Sequence, residues 1–212
     1  SEFDGRWQMC HRTAYDYCTR AATVAAGMRM IDPNVELVVC GSSSHGMDTF
    51  GSWEEKVLEK AYENVNFVSC HAYYFPELKA DGTRDIASFL ASGVDMDGFI
   101  KECAAAIDAT KARLKSKHDV YISFDEWNVW FHADATDADT MKNRPWQIAP
   151  HLLEDHYDFE DALLVGLMLI TLMKHSDRVT LACMAQLVNV IAPIMTEENG
   201  PAWFQTIYTP QP

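Results

Sequence analysis

Short apolar runs alternate along the chain with longer stretches in which apolar residues recur every three or four positions. Four runs are brief and rich in β-branched or aromatic residues: Glu36–Cys40, Asn66–Cys70, Asp119–Phe124 and Val179–Met184. Each leads directly into polar or aromatic residues, which is typical of buried strands that end near a functional surface. The pattern therefore predicts four buried strands.

Helical periodicity fills the intervals between these strands. It predicts helices over about Ala14 to Asp32, Trp53 to Tyr62, Met96 to Lys115 and Phe159 to Met173. Strands separated by helices favour parallel pairing through right-handed crossovers. The sequence thus predicts an α/β fold, and the pattern alone fits either a small open α/β domain or the second half of a barrel from a longer protein.

Charge and composition narrow the possible partners. The 212 residues carry a formal net charge of -14, which repels nucleic acid and anionic membrane surfaces, whereas neutral sugars are not excluded. None of the six cysteines forms a C-x-x-C pair, so the spacing gives no support for a zinc site. Cys40, Cys70 and Cys183 lie in apolar runs, and we expect them to be buried and reduced in a cytoplasmic protein.

The strongest chemical signal follows the third predicted strand. In Ser123–Trp130 the strand ends in two carboxylates, Asp125 and Glu126, flanked by two indoles. Aromatic rings stack on the apolar faces of sugars, and a carboxylate can attack or stabilise an oxocarbenium-like centre. Spacing alone equally allows both carboxylates to cap the next element.

Three weaker signals lie elsewhere. His71 and Tyr73 are two positions apart on a predicted strand, so they share a face and could both bind a carboxylate, although a lone histidine is more often a core residue. Glu2 precedes Trp7 and could be a general acid with a raised pKa. Gln186 and Asn189 follow the last strand, where their amides could bind sugar hydroxyls or cap the chain.

Taken together, these segments resemble the α-L-arabinofuranosidases of glycoside hydrolase family 51. The similarity extends over nearly the whole chain and is most specific in the runs Asp125–Trp130 and Ala185–Ile194. The resemblance implies a (β/α)8 TIM barrel, of which residues 1–212 carry about the second half, strands five to eight. The resemblance further implies that residues 1–212 do not include the first barrel half or the β-sandwich domain of the family.

The resemblance also implies roles for single residues. Glu126 is the nucleophile and Glu2 the acid/base of a retaining double displacement, in which the two carboxyl groups lie ~5–5.5 Å apart. His71, Tyr73, Trp130 and Gln186 bind substrate. The family implies no metal and no organic cofactor, an arabinose-containing oligosaccharide or polysaccharide as partner, and a homo-oligomer. Two other hypotheses remain open: a non-catalytic half-barrel fragment, and a related retaining endoglucanase or xylosidase.

Overall fold

The structure is a computed structural model that describes residues 2–131, 134–148, 150 and 152–211. Its helices are α1 (Ala14–Ile31), α2 (Ser52–Ala61), α3 (Ile86–Leu90), α4 (Ser92–Leu114), α5 (Asp134–Asn143) and α6 (Phe159–Lys174), with short 3-10 turns at Tyr62–Asn64 and Thr206–Tyr208. Its strands are β1 (Val38–Val39), β2 (Phe67–Tyr74), β3 (Tyr121–Val129), β4 (Val179–Met184), β5 (Ile194–Thr196) and β6 (Ala202–Phe204).

The first four strands form one sheet in the order β1-β2-β3-β4, and β5 and β6 form a separate antiparallel pair. β1 and β2 are parallel, with Val38 opposite Phe67 and Val39 opposite Val68. Because a helix lies in sequence between successive strands of the larger sheet, the α/β class predicted from the sequence is confirmed.

Most predicted elements occur where the periodicity placed them. The first helix begins at the side-chain cap of Thr13, which accepts a hydrogen bond from the Asp16 amide at 3.2 Å, and ends at Asp32. Two strands extend beyond their predicted ends. β2 continues past Cys70 to Tyr74, and β3 continues past Phe124 to Val129. The sequence analysis missed α3, the β5–β6 pair, and α5 within the long loop between Val129 and Glu154.

By their internal packing the described residues form two compact units. The first comprises Ser1–Ala72, Asp95–Asp125 and Leu172–Ala182, and the second comprises Tyr73–Val94, Glu126–Thr171 and Cys183–Pro212. In the first unit α1 packs against α2, and the Trp53 indole donates a hydrogen bond to the Cys40 carbonyl at 2.9 Å. In the second unit the Asn128 amide donates to the carbonyls of Ala185 and Ile191 at 2.7 and 2.6 Å.

Gly41 shows how closely the backbone after β1 approaches β2. A Cβ atom built on Gly41 would lie 2.0 Å from the Ser69 carbonyl oxygen, a collision with backbone that no side-chain movement relieves. The residue after it is held in place, since the amide of Ser42 donates to the buried Glu54 carboxylate at 2.7 Å. Glycine at position 41 is therefore a requirement of this close approach.

One burial prediction is wrong. Cys40 and Cys70 are buried, but Cys183 is exposed. Cys183 belongs to β4, the last strand in the order of the sheet, so an apolar run at the sheet edge does not guarantee burial. Within the described part of the chain, no helix has both the length and the apolar composition needed to cross a membrane.

Candidate active site

Alternate residues of β2 carry the polar side chains of the candidate site. Ser69, His71 and Tyr73 are two positions apart, so strand geometry places them on one face. The sequence analysis selected His71 and Tyr73 for this reason. It missed Ser69, although the same period of two extends the pattern back to that residue.

In the first unit the His71 ring lies between two carboxylates. Its Nδ1 is 3.1 Å from Oε1 of Glu2, and its Nε2 is 3.1 Å from Oδ1 of Asp125. The His71 side chain is only 2% exposed, whereas those of Glu2 and Asp125 are 14% and 28% exposed. The structure thus brings together Glu2 and His71, both predicted from the sequence, and adds Asp125 as a third member.

The segment that carries Glu2 is anchored to the rest of the first unit. The Asp4 carboxylate accepts hydrogen bonds from the amide and the hydroxyl of Ser43 at 2.9 and 3.0 Å. The Phe3 ring stacks on Tyr17 with 5.1 Å between ring centroids. These contacts anchor the two residues that follow Glu2 in the chain.

Neighbouring groups determine the charge of Glu2. The second oxygen of its carboxylate, Oε2, accepts hydrogen bonds from the Trp7 indole at 2.5 Å and the Gln8 amide at 3.5 Å. Partial burial raises the pKa of Glu2, but the hydrogen bonds from His71 and Trp7 outweigh burial and hold that pKa below its ordinary value. The raised pKa expected from the sequence is therefore wrong for this state of the site, because donors surround the carboxylate.

Asp125 is held in a similar way. Its Oδ1 accepts a hydrogen bond from the Ser69 hydroxyl at 2.6 Å in addition to its contact with His71. Burial raises the pKa of Asp125, and the hydrogen bonds from His71 and Ser69 lower it further than burial raises it. Asp125 is thus stabilised as a carboxylate, a role that the sequence analysis did not assign to it.

In the second unit Glu126 and Tyr73 lie together. The Tyr73 hydroxyl donates a hydrogen bond to Oε2 of Glu126 at 3.0 Å. The Trp130 ring meets the Tyr73 ring edge to face, with centroids 5.5 Å apart and planes at 67°. A carboxylate that is oriented by a phenol beside an indole can act as a nucleophile next to an apolar ring surface suited to a sugar.

Gln186 has a local structural contact. Its side-chain amide donates to the carbonyls of Val188 and Asn189 at 3.2 Å each. The Asn189 side chain in turn bonds with Thr196 of β5, accepting from its amide at 2.7 Å. Both amides order the segment before β5, and a role for Gln186 in sugar binding stays a prediction.

Comparison with known proteins shows which family the chain resembles. Residues 125–212 match the family model described as the α-L-arabinofuranosidase C-terminal domain. A solved structure of a family 51 α-L-arabinofuranosidase from Bifidobacterium longum superposes with a TM-score of 0.90 at 44% identity, covering 99% of this chain and 42% of that one. The chain belongs to the family 51 α-L-arabinofuranosidases. The family resemblance inferred from the sequence is confirmed.

Relatives within the α-L-arabinofuranosidases differ in the linkage given in their names. The chain is 68% identical over 210 residues to an exo-α-(1→6)-L-arabinofuranosidase of Bifidobacterium longum, covering 99% of this chain and 40% of that protein. It is 56% identical over 211 residues to an intracellular exo-α-(1→5)-L-arabinofuranosidase of Acetivibrio thermocellus, covering 99% of this chain and 41% of that protein. The chain therefore spans about 40% of the length of these curated relatives.

Proposed function

We propose that this chain carries the catalytic residues of a retaining glycoside hydrolase that releases terminal α-L-arabinofuranosyl residues from arabinose-containing oligosaccharides or polysaccharides. The observation that carries the proposal is the Glu126 carboxylate, which accepts a hydrogen bond from Tyr73 at 3.0 Å within the family's Asp125–Trp130 run. The names of the relatives support arabinofuranose as the sugar that is released. Both α-(1→6) and α-(1→5) linkages occur in those names.

The proposed reaction has two displacements. Glu126 attacks the anomeric carbon while protonated Glu2 donates its proton to the leaving oxygen, which gives a covalent arabinosyl-enzyme. A water molecule then attacks the same carbon, and Glu2 accepts the proton of that water. Tyr73 holds Glu126 in orientation, and Trp130 offers an apolar surface to the sugar ring. Two carboxylates and water complete the cycle, so the proposal includes no metal or organic cofactor.

We further propose that the chain forms the second half of a TIM barrel in a longer enzyme, which acts inside the cell and assembles as a homo-oligomer. Intracellular is the word used in the names of several relatives. The four strands with intervening helices fit barrel strands five to eight. Size-exclusion chromatography with light scattering on the longer protein tests the assembly.

Replacement of the nucleophile tests the central assignment. We expect Glu126→Ala to lower the turnover of an aryl α-L-arabinofuranoside by about 10⁴- to 10⁶-fold, the range seen when a nucleophile or its partner is removed from other hydrolases. Added azide should restore part of the rate by occupying the space of the lost carboxylate. The exposed Glu63 provides a matched control, since Glu63→Ala removes a glutamate from the surface and should leave the rate unchanged. An undiminished rate in Glu126→Ala would remove Glu126 from the mechanism.

A second candidate, a sugar-binding fragment without activity, is favoured by the exposed face of α6. Five large apolar residues lie on one side of this helix and are all at least 40% exposed: Phe159, Leu163, Leu167, Ile170 and Met173. Such a continuous apolar stripe is typical of a helix that packs against further protein. Assays of the 212-residue chain alone and of the longer enzyme distinguish the candidates, because only a catalytic chain turns over substrate by itself. A panel of aryl glycosides in the same assays tests the third hypothesis, a retaining endoglucanase or xylosidase.

A further inference from the structure

The hydrogen bonds around Asp125 define where the protons of His71 lie. The Ser69 hydroxyl has one proton, and it donates that proton to Oδ1 of Asp125 at 2.6 Å. The same Ser69 oxygen lies 3.1 Å from Nε2 of His71, and Oδ1 of Asp125 also lies 3.1 Å from Nε2. Nε2 thus faces two acceptors at hydrogen-bond distance. Nε2 must therefore carry a proton, because a bare nitrogen there would face two oxygen lone pairs.

With Nε2 protonated, the other ring nitrogen meets Glu2. Nδ1 lies 3.1 Å from Oε1 of Glu2, and this contact requires one proton between the two atoms. Either His71 is an imidazolium beside a carboxylate, or His71 is neutral beside a protonated Glu2. The two arrangements differ only in the position of a single proton along one hydrogen bond.

We propose that His71 is a proton relay that supplies Glu2, with Ser69 and Asp125 as positioning residues that act through His71. The catalytic part of this inference rests on the proposed function. In the resting site His71 holds the proton on Nδ1 and Glu2 is ionised. Before the first displacement the Nδ1–H bond breaks and an O–H bond forms on Glu2, so the imidazolium becomes neutral imidazole and the carboxylate becomes a neutral acid. Glu2 then gives that proton to the leaving oxygen.

The second displacement reverses the transfer. Glu2 takes a proton from the attacking water and returns it to Nδ1 of His71, so the relay ends as it began. Glu2 faces the ring from the segment before α1, and Asp125 faces it from β3. The low exposure of His71 keeps bulk water from exchanging the stored proton, while the greater exposure of the Glu2 carboxylate leaves it open to substrate. The lowered pKa of Glu2 agrees with a resting state in which the proton is on His71.

Nitrogen NMR of the histidine rings tests the relay without any substrate. The 212-residue chain is labelled with ¹⁵N-histidine, and the ring signals of His71 among the eight histidines are assigned by their loss in His71→Gln. The relay predicts a proton on Nε2 throughout the titration, with only Nδ1 gaining and losing one. A ring that titrates with Nε2 bare would overturn the proposal, and the titration itself is measured on the unchanged chain.

Asp125→Asn then tests whether Asp125 sets the state of His71. Loss of the carboxylate should move the titration of His71 toward acid by roughly 1–3 pH units, because an opposite charge at this distance favours the charged ring. The longer enzyme with the same change should lose about 10²- to 10⁴-fold in kcat, and the alkaline limb of its pH profile should move toward acid, because that limb reports loss of the proton that His71 and Glu2 share. Unchanged His71 signals in Asp125→Asn would contradict the relay.

Asp95→Asn is the matched control, since Asp95 contacts Nδ1 of a different histidine, His45, at 2.6 Å. This change should move the signals of His45 and leave those of His71 and the kcat unchanged. A wild-type enzyme without activity, but with the predicted His71 signals, would overturn the proposed function and leave the proton positions of the relay supported.

Discussion

His71 and His45 contact the same types of residue, but the two rings differ in how deeply they are buried. Each ring has one nitrogen near an aspartate and the other near a glutamate: Asp125 and Glu2 for His71, Asp95 and Glu102 for His45. The side chain of His71 is 2% exposed and that of His45 is 24% exposed, with Glu102 at 62%. Exposed charges are screened by water and exchange protons freely with it, whereas a buried ring keeps its proton between defined atoms. Burial therefore distinguishes the two histidines: only the buried His71 is suited to pass a proton to one defined partner.

His45 has a structural role that its neighbours explain. Its ring stacks on Phe99 with 5.2 Å between centroids and meets the edge of Phe50 at 5.2 Å. Burial lowers the pKa of His45, but the hydrogen bonds to Asp95 and Glu102 raise it above its ordinary value. The ring therefore links the segment after β1 to α4 through its contacts with Asp95 and Glu102.

The same substitution at both histidines should give the largest contrast. We expect His71→Gln to lower kcat by about 10²- to 10⁴-fold, because glutamine can donate to one carboxylate but cannot accept or release a proton. Its free energy of unfolding should fall by about 1–3 kcal/mol through the loss of buried hydrogen bonds to charged groups. Steady-state kinetics and urea denaturation measure the two effects. Equal activity in His71→Gln and His45→Gln would abolish the distinction between the two sites.

A smaller effect is expected at Tyr73, where the partner of the carboxylate is a neutral phenol. Tyr73→Phe removes the hydrogen bond to Glu126, and a bond to a charged group is worth about 1.5–3 kcal/mol, or roughly 10- to 150-fold in rate. Tyr73 takes no part in the transfer of the Glu2 proton, so kcat should fall while the alkaline limb of the pH profile, which reports that proton, stays in place. Tyr15→Phe at an exposed position is the control. A displaced alkaline limb in Tyr73→Phe would mean that Tyr73 also takes part in proton transfer.

The smallest effect concerns the pH dependence of stability at His45. The folded-state pKa of His45 lies above its unfolded value, so its contribution is fully present below about pH 6.5 and is lost as the pH rises through the folded pKa. We expect His45→Gln to destabilise the chain by about 0.2–1 kcal/mol at pH 5.5 and by progressively less in alkaline buffer. Urea denaturation across this range measures the difference. A stability difference between His45→Gln and the unchanged chain that grows as the pH rises would contradict a stabilising positive charge on His45.

Much of the fold could be predicted from the sequence because the major elements have strong local signals. The predicted strand over Val179–Met184 matches β4 residue for residue, and α6 begins at the predicted Phe159. The β5–β6 pair could not be predicted in the same way, since each strand has three residues and too few side chains to show a period.

A local pattern in the sequence could relate site residues to one another only where one strand carries them. The period of two identified His71 and Tyr73 from the sequence. The contacts of His71 with Glu2 and Asp125 join positions 69 and 54 residues apart in the chain, and no local pattern reports such pairs. The lowered pKa of Glu2 depends on the Trp7 and His71 donors, so the identity of a carboxylate beside a tryptophan does not give the direction of its shift.

The pairing of β1 with β2 has a consequence for errors in folding. Val38 opposite Phe67 and Val39 opposite Val68 set the alignment of the strand that carries Ser69, His71 and Tyr73. A slip of β2 by one residue would turn these three side chains to the opposite face and bring their neighbours in their place. A misaligned chain would thus lose the contacts of Glu2, Asp125 and Glu126 with this strand at once while keeping nearly all of its helices. Far-ultraviolet spectra would barely reveal such a misfolded population, whereas an active-site titration would count it directly.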